Sequence, residues 1–155
     1  MTFMSDLKDR LRTDLTASIK ARDALRSSTL RMALTSITNA EVAGKQARVL
    51  TDEDVIGVLG AEAKKRREAA EAFEAAGRTE MAAKERSEAE VIAVYLPAQL
   101  GEQEIADLVT SAIASLGVLD EGMRALGKVM GVLQPQVKGR ADGGAVAAEV
   151  RRQLG

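Results

Sequence analysis

Apolar residues recur at helical spacing in one segment of this chain after another. Leu7, Leu11, Leu15 and Ile19 stand four apart, and Leu30, Ala33, Leu34 and Ile37 keep the i, i+3, i+4, i+7 pattern. Ile105, Leu108, Val109, Ala112, Ile113 and Leu116 repeat it, and Val146, Val150 and Leu154 close the chain at spacing four. Each set lines one side of a rod that turns about 100° per residue. A sheet protein would need β-branched and aromatic runs broken by frequent turn signals. Aromatics make up only 2% of the 155 residues, while 46% are hydrophobic, enough for a core. The expected class is all-α.

Local signals divide the pattern. Ser5 and Asp23 suit N-caps of the first two helices. Gly44 is the expected stop of the second, with a loop over 43–50. Thr51-Asp52-Glu53-Asp54 places a hydroxyl and carboxylates at a helix start, where the dipole favours them. No strong stop follows until Gly77, and Thr79 is the expected cap of a returning helix that ends at Leu96-Pro97. Residues 60–90 contain ten alanines, with Phe73 and Met81 the only large apolar side chains. The reading is a long antiparallel hairpin over about 52–95, closely approached through its alanines, with a projecting tip. Beyond Pro97 come three short helices. The second carries Met123, Leu126, Met130 and Leu133 and stops near Pro135, and the third is capped by Asp142. The expected domains are 1–97, with the hairpin, and 98–155.

The zeros in the composition restrict the chemistry. Histidine and cysteine are both absent. That removes triads, thiol nucleophiles, disulfides and the usual zinc sites. Tyr95 reads as a packing residue at the domain junction, Asp52-Glu53-Asp54 as a helix start, and the methionines as core filling. No catalytic residue, cofactor or metal site is expected. No apolar run approaches the ~18–20 residues of a membrane span. The N-terminus lacks the apolar core of a secretory signal, so the expected location is cytoplasmic, away from membranes.

Near-neutrality hides a segregation of charge. Residues 98–123 carry five acidic and no basic groups, whereas 124–155 carry six basic and two acidic ones. Lys138-Gly139-Arg140 lies just before a helix start, where backbone N–H groups and cations together suit phosphate. Lys128, Lys138, Arg140, Arg151 and Arg152 are the candidate RNA contacts. Lys64-Lys65-Arg66-Arg67 forms a second basic patch, but it encircles its helix, and Glu68, Glu71 and Glu74 stand in position to pair with it. No Walker loop occurs. With only Phe3, Phe73 and Tyr95 for stacking, an RNA partner would be held through backbone and shape, as folded RNA is, with no DNA specificity.

Several stretches carry a family resemblance in their order and spacing. They are Ser28-Thr29-Leu30-Arg31-Met32, the Lys64-to-Glu68 run followed by Phe73, Gly77 and Arg78, and Tyr95-Leu96-Pro97 with Gln99-Leu100. Gly127-Lys128-Val129-Met130-Gly131 and Lys138-Gly139-Arg140-Ala141-Asp142-Gly143 complete the set. From end to end the chain resembles the YqeY-like proteins of the GatB/YqeY group. The resemblance implies an all-helical chain whose small C-terminal domain is similar to the tail of the B subunit of glutamine-dependent aminoacyl-tRNA amidotransferase, a tail that helps hold tRNA. It brings no catalytic residue, because the similar portion is not the catalytic one. Leu126 stands where methionine is common. Gly101 replaces a hydroxyl or Asp cap, at an expected cost of a few tenths of a kcal/mol.

The functional expectation is a tRNA-binding accessory module, not catalytic alone, with translation or amidotransferase components as further partners. One alternative is a participant in tRNA-dependent transamidation, a carbon–nitrogen ligase activity with glutamine as amide donor. The other is a protein-interaction adaptor that uses the hairpin.

Overall fold

The computed structural model of the chain describes residues 6–155, so the expected Ser5 cap lies outside the described residues. Among these the chain is all-α, with no strand. The helices are α1 (Asp6–Lys20), α2 (Ala24–Glu41), α3 (Asp52–Ala75), α4 (Thr79–Ala93), α5 (Glu102–Leu116), α6 (Leu126–Val137) and α7 (Gly143–Leu154). A 3-10 segment, Leu119–Ala125, leads into α6. The helices pack as two compact units that meet in sequence at Leu96 and Pro97.

The core of the first unit gathers Leu11, Leu30, Ile37, Leu50, Val55, Leu59, Ile92 and Tyr95. Ile19, last in the apolar stripe of α1, is instead 47% exposed. Spacing four advances each side chain by about 40° on a 3.6-residue helix, so three steps carry it off the buried face. The buried position is Ser18, seven residues after Leu11, and its hydroxyl lies 2.9 Å from that of Ser27 on α2. Helix α2 ends at Glu41, short of Gly44. The Glu41 carbonyl accepts the N–H of Arg48, and its carboxylate takes both bonds from Lys8, at 2.8 and 2.9 Å. These contacts fix the end before the glycine is reached.

The Thr51 hydroxyl and the Asp54 carboxylate close a reciprocal capping box at the start of α3. Gly77 ends the helix at φ +76°, with Arg78 N–H on the Phe73 carbonyl and Gly77 N–H on Glu74. This six-to-one, five-to-two closure needs a left-handed residue, which glycine supplies without strain. Thr79 does not cap α4. It is the first helical residue, and Arg78 stands at the cap without a side-chain bond. From Glu71 to Met81 every residue but Phe73 is exposed, so the hairpin tip stands clear of the core.

In the second unit Val109, Val129, Leu133, Val146 and Val150 form a sealed core, each fully buried. Met123 is not part of the second helix. It lies in the 3-10 segment, 45% exposed, because Gly122 at φ 61°, ψ −144° interrupts helical geometry. Pro135 lies inside α6 rather than ending it. It forgoes one helical bond in the last turn, and Lys138 N–H still reaches the Gln134 carbonyl at 3.1 Å. Gly101 starts α5 with half a capping box, its N–H bonded to Glu104 at 3.2 Å.

The α1–α2 turn repeats the closure seen at Gly77, but Arg22 occupies its left-handed position at φ 59°. Arg22 is exposed. Arg22→Gly should raise stability by about 0.5–1 kcal/mol by removing Cβ strain, read as the urea midpoint. Tyr95 is 4% exposed and donates its hydroxyl to Asp14. Burial, then that bond, raises its pKa above the ordinary value of 10.0. The folded state therefore favours the protonated phenol. Its contribution is complete below the unfolded pKa and is lost as pH rises through the higher folded one. Alkaline denaturation curves should show this loss above about pH 10, and Tyr95→Phe should remove it at a cost of about 1 kcal/mol at neutral pH.

Candidate functional site

The five cations expected to contact RNA do not converge on one point. Helix α7 packs against α6 and against the 3-10 segment. Its last turn lies beside that segment, with the Leu154 carbonyl near Gly122. Arg124, Lys128, Arg151 and Arg152 therefore belong to the end of the unit where α6 begins and α7 finishes. Lys138 and Arg140 sit between the two helices at the other end, a helix length of about 18 Å away. Arg151 and Arg152 complement the negative end of the α7 dipole. All four cations of the first group are exposed. Lys128 lies 3.4 Å from Glu121, and Arg152 donates to Glu149 at 2.7 Å. Arg152, the leading cause, holds the Glu149 carboxyl below its ordinary range.

The glycine-rich stretch before α7 is built as a clamp. Gln99 donates its amide to the Gly139 carbonyl at 2.8 Å, and Leu100 N–H reaches the Arg140 carbonyl at 2.8 Å. The Arg140 guanidinium returns a bond to the Ala98 carbonyl at 3.3 Å and a second to Gln136 at 3.4 Å. Two motifs forty positions apart are thus one hydrogen-bonded feature. By sequence Arg140 is a candidate RNA contact. It is half-buried and holds backbone, and nothing in the spacing signals a partner so far away. At the α7 start the Asp142 carboxylate already takes the Gly144 N–H at 3.2 Å, which lowers the appeal of that end to a phosphate.

The second basic patch is held by acids on more than one helix. Lys64 pairs with Glu68 at 3.9 Å, as i+4 spacing anticipates. Lys65 instead reaches back to Glu62 at 3.2 Å. Arg66, 15% exposed, lies 3.2 Å from Glu88 and 3.6 Å from Glu85 on α4, and 3.9 Å from Glu62. Its guanidinium also meets the Met32 sulfur. Glu74 pairs with Arg86 across the hairpin. Arg67 is exposed and lines a groove with Glu71, Arg86, Ala89, Glu90 and Ala93.

Tyr95 is packed as its position implies, under Arg10, whose guanidinium sits 4.8 Å from the ring centre. Its raised pKa keeps the phenol protonated at neutral pH. Among the described residues no group of three or more acidic side chains is placed to hold a metal ion, and no helix is long and apolar enough to cross a membrane.

The clamp and the exposed cations respond differently to truncation. Arg140→Ala should cost the second unit about 1–2 kcal/mol in chemical denaturation, by stripping the Ala98 and Gln136 carbonyls of a charged donor. Arg151→Ala should stay within about 0.5 kcal/mol of wild type in the same measurement.

Comparison with known proteins assigns the chain. The family model described as "Yqey-like protein" matches residues 8–154. A Pyrenophora tritici-repentis protein named "Altered inheritance of mitochondria protein 41, mitochondrial" is 30% identical over 150 residues, 94% of this chain and 80% of that protein. An uncharacterized protein of Schizosaccharomyces pombe is 37% identical over 92 residues, 59% of this chain and 73% of its own length. A match to nearly the whole chain, together with a relative aligned along most of both lengths, places this protein in the YqeY-like family.

Proposed function

We propose that this chain is a non-catalytic accessory module that binds tRNA through its C-terminal unit and acts beside glutamine-dependent aminoacyl-tRNA amidotransferase. The observation that carries the reading is the charge of residues 124–155, six basic against two acidic groups, on helices packed around one small core. Arg124, Lys128, Arg151 and Arg152 supply an exposed cationic end, and Lys138 extends the charge toward the clamp. Contacts of this kind neutralise phosphates and follow shape rather than base sequence. The absence of histidine and cysteine favours a binding role over the ligase chemistry itself. The proposed setting is the cytoplasm; the mitochondrial name belongs to the Pyrenophora relative.

The open groove lined by Arg67, Arg86, Ala89 and Ala93 favours a second reading, in which the projecting hairpin grips a protein partner.

Fluorescence anisotropy with labelled tRNA tests the first reading. The expected Kd is about 10⁻⁴–10⁻⁶ M at physiological salt, with log K falling against log salt by a slope of roughly 3 to 5 in magnitude. Lys128→Ala, Lys138→Ala and Arg151→Ala combined should weaken binding and flatten the slope; Arg140 is left out because its loss would disturb the clamp. Lys64→Ala with Lys65→Ala should matter less, since both side chains face glutamates. Salt-independent binding, or a triple variant that binds like wild type, would defeat the reading.

A further inference from the structure

One face of the hairpin holds a groove of about 340 Å³, lined by Arg67 and Glu71 of α3 and by Arg86, Ala89, Glu90 and Ala93 of α4. Two cations meet two carboxylates there, and on each helix the couple runs from Arg to Glu at i, i+4. That order is the weaker one within a helix, where the acid does better on the N-terminal side. Neither couple closes. Arg86 turns across the hairpin to Glu74 instead. Arg67, Glu71 and Glu90 are exposed, and their side chains make no ion pair or hydrogen bond with a described residue. One turn away, by contrast, Lys64, Lys65 and Arg66 each have a glutamate. The groove therefore presents open charge of both signs in a fixed order.

We propose that this groove is the contact face of a weak homodimer, its occupant being the same groove of a second copy laid antiparallel. The sign pattern carries the choice. A polyanion gains nothing from a face whose charges sum to zero. A fitting protein surface must set an acid opposite Arg67 and a cation opposite Glu71. An antiparallel copy of α3 that crosses at residue 69 does both: Arg67 stands opposite Glu71 of the second copy, and Glu71 opposite its Arg67. Helix α4 repeats the order with Arg86 and Glu90, so both walls of the groove suit the same two-fold. Antiparallel contact also sets opposed helix dipoles side by side. Ala89 and Ala93 leave room for the approach. A face about 18 Å along α3 and about 20 Å across two helices buries roughly 700 Å² over both copies, under the ~1,200–2,000 Å² of stable complexes. Association is therefore weak and falls as salt rises. The proposal rests on the reading of the hairpin as a gripping surface, names what it grips, and does not depend on the tRNA reading.

Sedimentation equilibrium of the full chain at low salt tests it. The mass should rise from the 16.4 kDa of one chain towards twice that between about 10 µM and about 1 mM, for a Kd on the order of 10⁻⁴ M. Arg67→Glu and Glu71→Arg should each weaken association about tenfold or more. Mixed in equal amounts, the two variants should regain wild-type association, because each supplies the charge that the other lacks. Ala93→Arg fills the groove without touching the pairs and should abolish association. It decides the matter if either charge variant proves unfolded by circular dichroism. A chain that stays monomeric at about 1 mM overturns the proposal. So do single variants that associate like wild type, or a mixture no tighter than its components. If the monomeric chain still captures other proteins through a photo-crosslinker at position 93, only the occupant is wrong; if it captures nothing, the reading of the hairpin falls with it.

Discussion

The close approach of α3 and α4 governs the first unit. Ala63, Ala70, Ala82 and Ala89 lie buried along these two helices, none more than 7% exposed. Side chains this small allow helix axes toward the short end of the usual range of about 8–10 Å. They also bury little apolar area per turn, so the pairing gains less from the hydrophobic effect than a leucine seam would. Polar cross-links accompany it. Arg66 reaches Glu85 and Glu88, and Arg86 reaches Glu74, each joining one helix to the other. Ion pairs of this kind contribute modestly to stability, and their better-attested use is to fix register. A slip of one turn in the hairpin would leave Arg66 facing the wrong residues and Glu88 buried without a cation.

The same economy explains the uneven use of basic residues. In the hairpin, Lys64, Lys65, Arg66 and Arg86 are matched by glutamates, and the two arginines join one helix to the other. In the second unit the cations gather in residues 124–155 while most of the acids gather before them, so that unit is strongly dipolar along its sequence. Long-range attraction follows such segregated charge, whereas short ion pairs act within a few ångströms. The two basic regions thus differ in arrangement although their composition looks alike.

The fold was largely legible because its signals are local. Apolar spacing located the helices, and Gly77 and the Thr51 box marked ends that the structure keeps. What misled was local too. Spacing four drifts round a helix, which put Ile19 in the solvent and Ser18 in the core. Pro135 was tolerated because a last turn can lose one bond. Partners distant in sequence were not legible at all. Arg66 counts as one more cation in a basic run until α4 brings Glu85 and Glu88 to it. Arg140 counts as a surface charge until Ala98 appears beside it. No periodicity encodes those meetings, and they decide which cations remain open to a ligand.

The clamp between residues 98–100 and 136–140 has a consequence for how the second unit can travel as a part. Its helices begin only at Glu102, yet its folded edge begins earlier, since Ala98, Gln99 and Leu100 supply the partners of Gly139 and Arg140. A recombination or fusion event that joined new sequence at the first helical residue would deliver an incomplete piece, with carbonyls and a guanidinium exposed at its seam. Joined just ahead of Pro97, the piece carries its own closure. The portable unit is therefore set by a short irregular strip of backbone, which an inventory of helices would discard as linker.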